Sequence, residues 1–369
     1  MAYKYYRTIT IDKDKVGIDN ADTTISGGFP VLLTISGTYL KNTANGGRIE
    51  NAQGWDIKFT EDDRTTHLCY EIQSYDSSAG TLMAWVKIDP LSKATDTDFM
   101  MHYGNSSITE PTCDTPNTWT NDFEAVYHME DDSDSPDVSE SVEDHPGLYS
   151  DDAGLVDTSS ATVSGKIGNA LTFNDNKVTL SGIHSSGHRT LSAWVRTSSS
   201  TKQDIINNEQ DTWSLRIVEQ LSGPPSFTIL TVGGYASADF GSTQYDGEWH
   251  HLVGTYDGDA VRIYVDAVEG TPDTAPSGDL IPITGDTLVG VHANLSSNPV
   301  IGDIDEVRIA NIARSHDWIK TEFNNQDSPS TFYVVGEEFR VGHKFNQTLG
   351  GSPMGIAIAN IKSVIGVDW

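Results

Sequence analysis

The sequence predicts an all-β fold: two antiparallel β-sandwich domains followed by a short C-terminal extension. Three observations carry that prediction. Short stretches that alternate apolar and polar residues recur along most of the chain, punctuated by Gly, Asn, Asp and Ser. The length of 369 residues suits two domains, and an apolar content of 37% is enough for two cores. Residues 247–266 read as two alternating runs joined by Asp257-Gly258, a strong short-range signal for a β-hairpin.

The elements follow in order. Residues 6–12 alternate, 29–35 form a mostly apolar run of buried-strand type, and 56–60 alternate again before the acidic turn at 61–63. Runs at 68–74, 82–88 and 99–104 complete the strands of a first sandwich, assigned to residues 1–122. A second sandwich, residues 123–325, opens with a strand at 123–129. The acidic, Ser- and Pro-bearing run at 130–144 is expected to be an exposed insertion. Further strands are expected within 165–180, at 190–196 and at 301–309. In the hairpin, Trp249, Leu252, Gly254 and Tyr256 are assigned to one face and His250 and Val253 to the other, with Val261, Ile263 and Val265 repeating the pattern after the turn.

A helix is expected at 315–323, with Ser315 as its cap, Trp318, Ile319 and Phe323 at helical spacing, and Asn324-Asn-Gln326 ending it. The remainder, 326–369, holds a strand at 331–336 that returns to one of the two sandwiches, then a polar Gly-rich stretch and an apolar end at 356–369. An exposed apolar end is an aggregation hazard, so either this chain's own surface or a neighbouring subunit is expected to cover it.

The net charge is −30, from 53 acidic and 23 basic side chains. Binding to nucleic acid depends on phosphate neutralisation by Lys and Arg, so nucleic acid is excluded as a direct partner. Self-repulsion on this scale is workable in salty surroundings, where screening is short-ranged. The acids divide into 37 Asp and 16 Glu, and the excess of the shorter carboxylate also suits a turn-rich chain. No apolar run approaches the ~18 residues that span a bilayer, and no secretory signal opens the sequence, so neither membrane insertion nor general-pathway export is expected. Cys69 and Cys113 are expected to be free thiols.

The hairpin, with 165–180, 190–196 and 301–309, resembles the laminin-G-like (concanavalin A-type) jelly rolls in the same order, over roughly residues 123–325. The wording of Trp55-Asp-Ile-Lys-Phe, Tyr70-Glu-Ile, Ala84-Trp-Val-Lys-Ile and Met101-His-Tyr-Gly-Asn resembles a β-rich domain of unknown function, the DUF2341 type, that precedes such modules in bacterial and archaeal surface proteins. The resemblance implies jelly-roll-like sandwiches that bind sugars or proteins. It implies no catalytic residue.

Sugar recognition uses flat aromatic faces beside placed polar groups. Trp85, Trp194 and Trp249 sit in core-type strand patterns, whereas Trp213, Tyr235 and Tyr245 lie nearer loops and are the glycan-binding candidates. Laminin-G-like domains commonly hold Ca²⁺, which implies a structural ion here. Asn174 and Asp175 in the early turn, with Asp303 and Asp305 on the late strand, are its candidate ligands. Asp305 has alternatives, pairing with Arg308 or accepting backbone donors. His250 and His251 are adjacent on a strand, point to opposite faces and do not share one zinc ion. No serine-hydrolase elbow, phosphate loop or metalloprotease helix occurs.

These readings converge on a non-catalytic surface protein. The leading expectation is a virion surface protein (tail fibre, spike or capsid decoration) that contacts a host-surface glycan or glycoprotein and other virion proteins and assembles as a homo-oligomer. The alternatives are a cellular surface adhesin or surface-layer component, and an accessory binding module of a polysaccharide-degrading enzyme.

Overall fold

The computed structural model describes residues 3–341 apart from 22, 143–144, 152–153, 184–186, 209–211, 220–221, 275–276, 282–284 and 293–296. The apolar end expected at 356–369 lies outside the described residues.

The expected strands form, each shifted by at most a few residues. The first sandwich packs a sheet in the order Tyr333–Val335, Tyr5–Ile11, Thr97–Tyr103, Lys58–Glu61 against a three-stranded sheet of Phe29–Ser36, Thr81–Ile88 and Tyr70–Asp76. Alternation supplies the core: Ile9, Ile11, Phe99 and Met101 from one sheet meet Val31, Leu33, Ala84 and Val86 from the other. The strand expected at 331–336 thus returns to the first sandwich, pairing antiparallel with Tyr5–Ile11. Asp56 is fully buried and accepts the backbone N–H groups of Glu50, Asn51, Gly104 and Asn105, fastening two loops at one end of this sandwich.

The second sandwich pairs an eight-stranded sheet, centred on Ile301–Ala310, Arg189–Arg196 and Trp249–Tyr256, with a nine-stranded sheet running from Asp137–Val138 to Gly234–Asp239. The predicted hairpin forms between Trp249–Tyr256 and Val261–Val265, with Gly258 at φ 96° in the turn. The two sheets approach closely at Gly254, where a Cβ would lie 2.3 Å from the Phe227 ring. Two face assignments are corrected. Strict alternation puts Trp249 on the side of His251 and Val253, where Arg196 covers its ring at 4.7 Å, and His250 on the side of Leu252 and Tyr256.

The acidic run is also corrected in part. Asp137–Val138 joins the large sheet, Val138 is buried, and Glu140 accepts the N–H groups of Val126 and Val142, so the segment is partly built into the sandwich. Both cysteines are free thiols. Among the described residues no helix is long and apolar enough to cross a membrane.

The helix extends further than its spacing suggested. It spans His316–Asp327, capped by the Ser315 hydroxyl, which accepts the Trp318 N–H. Asn324-Asn-Gln326 does not end it, because tertiary partners hold those polar side chains in its last turn. The Asn325 amide both donates to and accepts from the backbone of Leu32 in the first sandwich, at 3.0 and 2.7 Å. Gln326 accepts the indole N–H of Trp194 in the second, at 2.6 Å. Trp318 packs into the first core and Ile319 against Val253 and Tyr264 of the second, so the helix is wedged between the two sandwiches.

Around this wedge lies a buried ionic joint. His128 bridges Glu306 at 2.7 Å and Glu71 of the first sandwich at 3.4 Å, with its ring stacked on Trp85. Arg308 pairs with Glu306 and with Glu322 of the helix, each at 2.7 Å, beneath the Trp85 and Trp119 rings. Burial pulls His128 down, but the two carboxylates outweigh it and hold the imidazole well above its ordinary 6.5. A raised folded-state pKa gives stability that is complete below pH 6.5 and is lost as pH climbs through the folded value. The joint is therefore expected to weaken from neutral into alkaline pH. His128→Gln should remove that dependence and cost about 3–5 kcal/mol at neutral pH, the typical cost of breaking a buried ion pair, measurable by denaturant unfolding across pH.

Candidate functional site

Which sheet faces remain free decides where a ligand can sit. The outer face of the eight-stranded sheet carries Trp194, His251 and Val253 beneath the helix, and the outer face of the three-stranded sheet carries Leu32 and Trp85 against Trp119 of the connection and Val126 and Ile167 of the second sandwich. The nine-stranded sheet keeps its outer face outside these contacts.

Register builds that face. Tyr149, Val178, Val289, Ile206, Leu215, Phe227 and Ala238 point into the main core. Their neighbours therefore point outward and align across the sheet. Leu148 sits opposite Thr179, Thr179 opposite Leu288, Leu288 opposite Asn207, Asn207 opposite Ser214, Ser214 opposite Thr228, and Thr228 opposite Ser237.

A hydrogen-bonded network stiffens this row. Asp204 accepts from the Arg216 Nε, from the Ser214 hydroxyl at 3.0 Å and from the Asn298 amide at 2.8 Å. The Arg216 Nη1 donates to Glu219 and to Thr228, each at 3.0 Å, and Ser226 donates to Glu219 at 2.7 Å. Thr228 and Ser237 lie 3.2 Å apart, and the Ser237 N–H donates to Asp273. Asn207 donates to the Val291 carbonyl at 2.5 Å, while its Oδ1, fully buried, finds no donor among the described residues. An unsatisfied buried acceptor costs about 1–3 kcal/mol. Tyr235, 62% exposed, stands at the rim beside Ser237.

The sequence candidates separate accordingly. Tyr235 fits the face. Trp213 does not: it is 1% exposed, packs in the main core and lies under Arg189, because alternation turns it inward with Leu215. Tyr245 is partly buried against the same core, so less of its ring is open to stack on a sugar.

The expected Ca²⁺ ligands do not fit an ion. Asp303 pairs with Arg196 at 2.8 Å, placing a cation where a dication would have to sit. Asp305 is fully buried and accepts the Ile167 N–H at 2.9 Å, not Arg308; burial, reinforced by Glu306, pushes its carboxyl well above the usual range. Asn174 and Asp175 are exposed in the turn, where Asp175 takes φ 70°. Among the described residues no three His, Cys, Asp or Glu side chains converge as a metal cluster. His250 is instead held by Asp266 and Asp246, and His251 is buried beside Trp194 and Phe323.

Asp204, Asn207, Ser214, Arg216 and Ser237 were not singled out from sequence. A signal existed in Trp213-Ser-Leu-Arg-Ile217, whose polar members occupy one side of an apolar alternation.

Residues 165–320 match the family described as the Concanavalin A-like lectin/glucanases superfamily, and residues 53–139 match a domain of unknown function, DUF2341. The latter match runs past residue 122 into Phe123–Tyr127, a strand of the second sandwich. No curated protein sequence matches the chain. Among solved structures, domain 4 of AbnA, a GH43 extracellular arabinanase from Geobacillus stearothermophilus, in complex with arabinotriose, shows 23% identity and a TM-score of 0.46 over 55% of this chain and 98% of its own. The ligand-binding domain of botulinum neurotoxin serotype D, in complex with N-acetylneuraminic acid, shows 13% identity and a TM-score of 0.43 over 58% of this chain and 53% of its own. The binding domain of Paraclostridial Mosquitocidal Protein 1 gives 13% and 0.42, over 55% of this chain and 52% of its own. The chain spans about half the length of these two toxin domains, and at these identities the likeness is one of fold alone.

Removing a core indole and an exposed ring should separate the two aromatic candidates. Trp213→Ala is expected to cost about 3–5 kcal/mol, and Tyr235→Ala to stay within about 0.5 kcal/mol of the parent; urea unfolding of both variants checks this.

Proposed function

We propose that this chain, which carries a concanavalin A-like domain at residues 165–320 behind a DUF2341 domain, is a non-catalytic glycan-binding protein whose ligand lies on the outer face of the nine-stranded sheet. The pair Thr228 and Ser237 carries this reading, because their hydroxyls lie 3.2 Å apart at the accessible edge of the sheet beside an exposed tyrosine, with Asn207 and Ser214 fully buried in the same row behind them. Sugars offer vicinal hydroxyls that both donate and accept, and a flat C–H face that stacks on an aromatic ring. Thr228 and Ser237 sit on neighbouring strands about 4.8 Å apart, and Tyr235 lies two residues along the strand from Ser237, so both needs are met at this edge. The network under the row fixes its donors before a ligand arrives, which reduces the ordering cost of binding.

We place the protein on the surface of a virus particle, with a cellular adhesin as the alternative. A net charge of −30 supports exposure to saline surroundings in either case. Labelling of purified particles with an antibody against the chain tests the placement.

The function itself is tested by a glycan array followed by calorimetry. Binding should weaken at least tenfold in Tyr235→Ala and in Ser237→Val, with no reducing sugar released. Unchanged affinity in both variants, or release of sugar, would contradict the reading.

A further inference from the structure

A second concavity lies away from the sheet face, where the sandwiches meet. It is a cavity of about 210 Å³ lined by Thr24 and Ser26 of the first sandwich, Asn121 of the connection, and Arg314, Ser315 and Asp317 at the start of the wedged helix. That is several times the ~30 Å³ share of one water molecule.

Arg314 is the unusual wall. It is 6% exposed, and its guanidinium lies 4.0 Å from the Trp318 ring and 4.6 Å from the Phe123 ring. One Nη2 proton goes to the Asn121 carbonyl, but the buried Nε finds no acceptor, and no carboxylate pairs with Arg314 among the described residues. Other interior arginines are paired: Arg189 with Glu124, Arg216 with Asp204, Arg308 with Glu306 and Glu322. Glu322 and Asp122 attract the Arg314 charge from a distance without an ion-pair contact, and a buried charge with no direct partner is costly. The same cavity receives the N-terminus of a twelve-residue helix, whose first N–H groups and dipole favour negative charge. Asp317, the carboxylate on that wall, is engaged by Lys93 at 2.7 Å, an ammonium it shares with Asp19, and accepts the Ile18 N–H at 2.9 Å.

We propose that this cleft binds a small oxyanion, held by the Arg314 fork and the helix N-terminus, with the Ser26 and Thr24 hydroxyls closing the opposite side. The site is distinct from the glycan face and spans both sandwiches, so occupancy stiffens the joint between them.

The test uses the full chain labelled with ¹⁵N-arginine, titrated with sodium sulfate, sodium phosphate or sodium acetate at ionic strength matched with sodium chloride. The matching matters because salt alone screens a chain of this charge. A saturable shift of the Arg314 Nε–H resonance, with a melting temperature at least 2 °C above the chloride control, is expected. Sulfate and phosphate acting without acetate assigns the site to tetrahedral oxyanions, and acetate acting alone assigns it to carboxylates. Arg314→Lys should weaken binding at least tenfold. Ser26→Trp, a bulky substitution at an exposed wall of the cavity, should do the same if the lysine variant folds poorly. Equal effects from chloride, or parental affinity in Ser26→Trp, would overturn the assignment.

Discussion

A buried chain of charges, from Glu71 through His128, Glu306 and Arg308 to Glu322, is the interaction on which the rest of the structure depends. Its members come from the first sandwich, the second sandwich and the helix: His128 and Arg308 hold Glu306 within the second sandwich, and each reaches a further carboxylate, Glu71 and Glu322, only when the other two pieces are in place. Desolvating four or five ionised groups is expensive, and mutual pairing offsets that cost only in a fixed geometry. Such an arrangement contributes less to net stability than to a single relative orientation, since any slippage leaves a buried charge alone. Trp85 and Trp119 reinforce this by lying over Arg308 while donating their own N–H groups to Gln73 and Glu71.

That joint also determines where binding can happen. By covering the outer faces of the three-stranded and eight-stranded sheets, it leaves the outer face of the nine-stranded sheet outside the joint; that face is accessible at Leu148, Thr228 and Ser237, while Leu288, Asn207 and Ser214 in its middle are fully buried. The open face is polar where the covered ones are aromatic. Its Asp204–Arg216–Glu219 network sits mostly out of water yet is internally satisfied, which keeps the hydroxyl row rigid without requiring a ligand for folding. Recognition and architecture are thus divided between opposite sides of the second sandwich. The proposed oxyanion cleft belongs to the architectural side, where Arg314, among the described residues, has no carboxylate in ion-pair contact, unlike Arg189, Arg216 and Arg308.

The strands were legible because their signal is local. Period two in Tyr5–Ile11, Thr81–Ile88 and Val261–Val265, and the Asp257-Gly258 turn, are set by neighbouring residues and by steric limits on φ. The C-terminal end of the helix was not legible. Asn324, Asn325 and Gln326 are ordinary stop signals in isolation, and only the backbone of Leu32 and the indole of Trp194 turn two of them into continuing residues. Trp213 misled for a related reason: its position near a loop suggested exposure, while its place in the alternation buried it.

By itself, then, the sequence determined the all-β class, the order of two sandwiches, the hairpin and the returning strand, since each rests on patterns within about ten residues. Tertiary structure alone decided which face stays open, that Asp303 and Asp305 are taken up by Arg196 and Ile167, and that Asn207, Ser214, Thr228 and Ser237 fall in one line. The physical reason is that register and sheet-to-sheet docking bring together residues from 148 to 237, and even 71 to 322, and no local pattern encodes a meeting across such distances.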